Sequence, residues 1–173
     1  TWSTVTANSG NPVPASVQAG LTNGVTYQFR ISAITAGGTG VASAPFTVKP
    51  FTSPSAPTSF VAQPSDGQIT LSWGVPATDG GAIVTDYRVE QSLDGGITWT
   101  AAAASTGGTR QATITGLTNG TPILLRVFAI NTAGAGTPTQ SISTSAYTVP
   151  AAPTSVVATG ANASVLLSWT APA

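Results

Sequence analysis

The pentapeptide Gly-Leu-Thr-Asn-Gly occurs twice, at residues 20–24 and 116–120. Its two leucines, Leu21 and Leu117, lie 117 − 21 = 96 positions apart. The same spacing separates Arg30 from Arg126, Pro57 from Pro153 and Trp73 from Trp169. A fixed period of this length means one folding unit copied in tandem, each copy supplying its own core positions. In this register the 173 residues hold one complete unit and two incomplete ones. Residues 1–52 correspond to the last four strands of a unit, 53–150 to a whole unit, and 151–173 to the first two strands of another. Trp2 and Trp99 match at an offset of 97, so one residue is inserted or deleted nearby.

The local pattern is that of strands. No apolar period of 3.6 residues is sustained, and Gly and Pro punctuate the chain throughout. In the central unit Phe60-Val61-Ala62 reads as a strand, and Ser65-Asp66-Gly67 as a turn. Ile69, Leu71 and Trp73 alternate with polar Thr70 and Ser72, which gives a second strand with one buried face. A third is expected over Ile83–Gln91, with Tyr87 and Val89 on one side and Asp86, Arg88 and Glu90 on the other. Asp94-Gly95-Gly96 suits a tight hairpin, because these residues tolerate positive φ. Further strands are expected over Ile97–Thr100, Arg110–Thr115, Ile123–Ile130 and Gln140–Tyr147. Seven short strands in about a hundred residues imply an antiparallel β-sandwich. The expected fold is all-β: tandem seven-stranded immunoglobulin-like sandwiches, one complete and two partial.

Composition removes several classes of function. Hydrophobic residues make up 41% of the chain, enough for real cores, whereas charged residues make up 6%, against ~25% in a typical domain. Five basic and five acidic residues cancel, so no basic field exists to gather nucleic acid or an anionic membrane. No apolar run approaches the ~20 residues of a membrane-spanning helix. Cys and His are both absent, which excludes Ser-His-Asp and Cys-His catalysis and the common zinc sites. The chain starts at Thr1 with neither Met nor a signal peptide, and the expectation is a mature piece or a window cut from something longer.

All five acids lie between Asp66 and Asp94. Asp86 and Glu90 flank Arg88 on one strand face, a solvated arrangement whose ion pair is worth less than ~1 kcal/mol. Asp66, Asp79 and Asp94 fall in Gly-containing turns, where Asp serves turn geometry. A calcium site would require several of them to converge. The Gly-rich Ala133–Gly136 lacks the Lys-Ser/Thr of a phosphate loop. Asn119-Gly-Thr and Asn162-Ala-Ser fit the N-glycosylation pattern, and no Arg-Gly-Asp occurs. No catalytic residue, metal ligand or cofactor is expected. Trp73 and Trp169 read as core residues, and core is the favoured setting for Trp2 and Trp99. One stretch stands out: Ile123–Ile130 is apolar on both faces. With Ile123, Leu125, Val127 and Ala129 inward, Leu124, Phe128 and Ile130 point outward. These three form a candidate contact face for another chain or domain.

Together these residues resemble a fibronectin type III domain of the kind found in bacterial extracellular proteins. The resemblance rests on Ala56-Pro57 leading into the first strand, Leu71-Ser72-Trp73, Asp86-Tyr87-Arg88-Val89, Leu117–Gly120, and Ala129-Ile130-Asn131 followed by Gly134-Ala135-Gly136. It implies a core containing Leu71, Trp73, Tyr87 and Val89, with Leu21 and Leu117 plugging it beneath the Gly-Leu-Thr-Asn-Gly loop. It also implies that Tyr27 is a corner tyrosine whose hydroxyl bonds nearby backbone. The central unit departs here: Ile123 stands where that tyrosine would be, after Pro122. Proline near each seam, in Thr52-Ser53-Pro54-Ser55 and Thr148-Val149-Pro150-Ala151, implies a stiff array.

The function implied is a non-catalytic structural or interaction segment of an extracellular or cell-surface repeat protein, self-assembling into a fibre or surface layer. Its partners would be copies of itself or other surface proteins. The alternatives are a spacer or accessory module of a secreted polysaccharide-degrading enzyme, with polysaccharide as a partner, and a phage or virion surface-binding module.

Overall fold

The computed structural model describes residues 2–3, 18–103 and 106–172, and among them every regular element is a β-strand. Residues 18–52 carry β1 (Tyr27–Phe29), β2 (Ile34–Thr35), β3 (Gly38–Thr39) and β4 (Phe46–Val48). The central unit carries β5 (Pro57–Ser65), β6 (Gln68–Pro76), β7 (Asp86–Ser92), β8 (Thr100–Ala101), β9 (Gln111–Thr115), β10 (Ile123–Asn131), β11 (Gly134–Ala135) and β12 (Ile142–Thr144). The hairpin β13 (Thr154–Ala161) and β14 (Ser164–Thr170) follows.

Two sheets face each other in the central unit. One has the order β5-β6-β9; the other runs β11-β10-β7-β8, with β12 also paired to β10. All pairings are antiparallel. The period-2 alternation decides what lies between the sheets. Ile69, Leu71 and Trp73 enter from β6, Tyr87 and Val89 from β7, Ile114 from β9, and Ile123, Leu125, Val127 and Ala129 from β10. Burying a side chain of this size contributes about 1.5–3 kcal/mol. The Trp73 ring centres the aromatic part, tilted against Tyr87 at 5.5 Å and Phe60 at 6.5 Å.

The first strand of the central unit is longer than expected, Pro57–Ser65, and three others fall well short of their expected bounds. The third strand begins at Asp86, and Ile83 is exposed in the preceding loop. The expected strand over Ile97–Thr100 reduces to β8, which pairs Thr100 and Ala101 with Gln91 and Glu90. The cause is Asp94, whose carboxylate accepts hydrogen bonds from the Thr98 N–H and hydroxyl. That donor serves the turn instead of the ladder. The last strand covers Ile142–Thr144 only. Beyond it, Ala146 O accepts the Gly120 N–H, and the Tyr147 N–H donates to Ser65 O on the opposite sheet.

The repeat is visible in backbone conformation as well as sequence. Ser59 and Ser155 share the same place in the period, both have positive φ (49° and 53°), and both sit where strand register breaks in a bulge. The pairing Ile34↔Thr39 recurs as Ile130↔Ala135. In residues 18–52, Phe29 stacks on Phe46 at 5.7 Å where β1 pairs with β4. Among the described residues, strands β13 and β14 pair only with each other, and every residue of both is exposed. Trp169, expected in a core, is therefore 59% exposed.

Candidate functional site

The face expected to make contacts is the outer surface of β7 and β10. These strands pair in the register Glu90↔Arg126 and Arg88↔Phe128. Outward side chains therefore alternate between acid, base and ring. Arg126 donates to Glu90 Oε2 from Nε at 2.9 Å and from Nη2 at 2.7 Å. Arg88 Nε lies 3.0 Å from the other oxygen, Oε1. The two guanidinium groups then extend over aromatic rings. Arg126 lies 3.9 Å from the Trp99 ring centre and 5.2 Å from that of Phe128, and Arg88 lies 4.6 Å from Phe128. Each cation over a ring contributes roughly 0.5–1 kcal/mol at exposed sites and more where water is excluded.

This stack corrects the sequence-based picture of the face. Phe128 is 8% exposed, because the Arg88 and Arg126 side chains cover it. Leu124 and Ile130 are half-buried. Trp99, for which core was favoured, lies outside the core cluster, under Arg126, with its Nε1 donating to Gly96 O at 3.1 Å. The pair recurs one period earlier, where Arg30 lies 4.4 Å from the ring centre of Trp2. The sequence alone does not place Trp99 beneath Arg126. An Arg-Trp pair repeated near the 96-residue spacing was the available signal. The cluster pairs its own charges and rings.

The two Gly-Leu-Thr-Asn-Gly loops are held by different groups. In the first, the Thr22 N–H donates to Tyr27 Oη at 3.0 Å. In the second, Ile123 is buried and supplies no hydroxyl. Asn119 acts instead: its Oδ1 accepts the Gly67 N–H at 3.0 Å, and its Nδ2 donates to Asp66 Oδ1 at 2.7 Å. The Leu117 N–H donates to Gly67 O at 2.9 Å. Asn119, the first residue of a glycosylation pattern, is thus engaged by the adjacent turn. Leu21 and Tyr27 are half-buried, as is Leu117, which packs against the core.

Asp94 has a strongly perturbed acidity. Hydrogen bonds from the Thr98 hydroxyl, the Thr98 N–H and the Ser92 hydroxyl hold its carboxyl well below the usual carboxylate range. Asp79 bonds its own turn through Gly81 N–H, and Asp66 bonds Asn119. Among the described residues no group of three or more acids, His or Cys could hold a metal ion, and no helix is long and apolar enough to cross a membrane.

A second constellation lies at the seam between residues 18–52 and the central unit. Asn131, 4% exposed, donates through Nδ2 to Thr52 O at 2.8 Å and to Asp79 O at 2.7 Å. The Thr52 N–H donates to Gly80 O at 2.8 Å. Ser55 N–H donates to Thr78 O at 3.0 Å, Thr78 N–H to Ser55 Oγ at 3.1 Å, and the Ser55 hydroxyl to Thr78 O at 3.4 Å. The linker also runs against glycines. A Cβ at Gly80 would collide with Thr52 O and approach Ser53 O to 2.7 Å, and one at Gly136 would collide with Pro54 O. Thr52 and Ser55 are thus hydrogen-bonded to the body of the central unit, and between them the Ser53 and Pro54 carbonyls pack against Gly80 and Gly136.

Comparison with known proteins agrees with this architecture. The fibronectin type III domain model matches residues 55–145, just over half of the chain. The chain belongs to the fibronectin type III family. It is 26% identical over 146 residues to human myomesin-2, a match covering 81% of this chain and 10% of that protein. The chain therefore spans about a tenth of the length of this curated relative. A crystal structure of titin domains aligns with a TM-score of 0.51 at 25% identity, covering 59% of this chain and 36% of the other. The twitchin kinase region of C. elegans aligns with a TM-score of 0.50 at 29% identity, covering 54% and 17% respectively.

Proposed function

We propose that this chain is a non-catalytic structural segment that sets the spacing and orientation of consecutive fibronectin type III units in a longer repeat protein. In this reading residues 1–52 and 151–173 are parts of units flanking the complete one at 53–150. The observation that carries it is the seam. The Asn131 amide, Gly80 and Thr78 bond the linker over Thr52–Ser55, so the join between units is made of packed structure. A linker bonded at both ends and packed between them transmits orientation, whereas a free one does not.

Similarity to segments of myomesin-2, titin and twitchin supports a structural or interaction role, since fibronectin type III domains are typically non-catalytic. The extracellular or cell-surface setting belongs to the same proposal and is supported by the sequence resemblance. Lateral assembly through Leu124, Phe128 and Ile130 does not carry it, because Arg88 and Arg126 cover the aromatic ring.

The test is ¹⁵N relaxation on the full chain. Amides of β1 and β4 should report the same overall correlation time as those of β6 and β10. A markedly shorter time for β1 and β4 would show independent tumbling and overturn the reading.

A further inference from the structure

The last glycine of the repeated pentapeptide has two environments in one chain. Gly24 and Gly120 have nearly the same backbone, φ +83° and +80°. Each donates its N–H at 2.8 Å to the carbonyl 26 residues on, Gly24 to Pro50 O and Gly120 to Ala146 O. The loops are copies in sequence, in glycine conformation and in this main-chain bond. They differ in what lies beyond them. Around Gly120 nothing comes within 4 Å of where a Cβ would stand. At Gly24 that position is 3.3 Å from the Cα of Gly81, in the turn between β6 and β7 of the following unit.

The approach is closer still from the other side. A Cβ at Gly81 would collide with Gly24 N, and it would stand 2.7 Å from Gly24 Cα and 3.0 Å from Pro50 O. Backbone meets backbone, with no room for a side chain at Gly81 and little at Gly24. Asp79 shapes the turn that makes this contact, accepting the Gly81 N–H at 2.8 Å. The positive φ at Gly81 (+90°) turns that chain segment toward the loop.

We propose that the final glycine of Gly-Leu-Thr-Asn-Gly is the docking position of each unit for the next. Its partner is the Asp-Gly-Gly turn of the unit that follows. At Gly24 the partner is Asp79-Gly80-Gly81. At Gly120 the same surface is offered to a further fibronectin type III unit with glycine at the corresponding turn. This deepens the structural reading above and rests on it: Asn131 fastens the linker, and the glycine pair sets how closely the units approach. The pentapeptide thus has a reason to recur beyond its turn geometry.

The chain supplies its own control. Asn is among the few residues that tolerate the left-handed region, so Gly24→Asn and Gly120→Asn impose the same local conformational demand. Only the first places a side chain in the seam. The chain lacks cysteine, so spin labels can be attached cleanly at Gln28→Cys and Thr113→Cys, exposed positions on β1 and β9. Electron–electron distance measurements on the full chain then read the spread between units. The expected result is a narrow peak for the unsubstituted seam, loss of that peak with Gly24→Asn, and its retention with Gly120→Asn. A narrow peak that survives Gly24→Asn, or is lost equally with Gly120→Asn, overturns the docking role and leaves the fixed seam standing. A broad distribution without either substitution overturns both. Amide exchange in β1 and β4, unchanged between the two variants, distinguishes undocking from unfolding.

Discussion

The loops at residues 20–24 and 116–120 share five residues and one backbone course, yet different side chains hold them. Tyr27 reaches back to Thr22 in the first, and Asn119 clasps Gly67 and Asp66 in the second. The tyrosine acts from within its own strand and needs nothing from the start of the unit. The asparagine bridges the hairpin joining β5 to β6 and the loop entering β10, stitching distant parts of one unit together. Identical sequence therefore fixes the turn but not what anchors it. Where a family's usual anchor is absent, the anchor has moved to a residue already present in the repeat.

The largest expected effect tests that substitution of anchors. Asn119→Ala removes the acceptor of Gly67 N–H and the donor to Asp66 together. Net hydrogen bonds contribute about 1 kcal/mol each, so the central unit should lose roughly 1–2 kcal/mol, read by denaturant-dependent exchange of β10 amides. Unchanged β10 protection would show that the clasp is idle. Next comes Tyr27→Phe, which removes one bond. It should weaken β1 and β4 by about 1 kcal/mol and leave β10 untouched. An equal effect on both would deny that the anchors are separate.

The smallest effect concerns Asp94, which closes the turn after β7 as Asn119 closes the loop before β10. Its folded acidity is shifted below the unfolded value, so its contribution is fully present above the unfolded carboxylate range near ~4. It is lost as pH falls through the folded value. Between about pH 5 and 7 the Thr98 amide resonance should not move, and it should shift only in strong acid. A midpoint near pH 4 would show that the Thr98 and Ser92 hydrogen bonds do not hold the carboxylate. Asp94→Asn should loosen the turn without measurable change in β10.

Much of the sandwich was legible in the sequence because alternation is a backbone property. Ile69, Leu71 and Trp73 facing inward on β6, and Leu125, Val127 and Ala129 on β10, follow from period 2 alone. What escaped depends on partners distant in sequence. The strand over Ile97–Thr100 shortened because the Asp94 carboxylate captured an N–H that the ladder would have used. Phe128 looked bare, but the pairing of β7 with β10 sets Arg88 beside it, and Arg126 lies two residues away on the same face. Ser59 and Ser155 adopt positive φ with no residue type to announce it; only their common place in the period was readable. The seam was half-legible. Proline near it implied stiffness, whereas the buried Asn131 amide and the meeting of Gly24 with Gly81 required the two units in place.

The central claim is that consecutive units hold a fixed relation. Residual dipolar couplings on the full chain test it most directly. Amides of β1 and β4 on one side, and of β6, β7 and β10 on the other, should fit a single alignment tensor with one magnitude and one orientation. Two tensors, with a markedly smaller magnitude for the first group, would show units moving independently and would contradict the account.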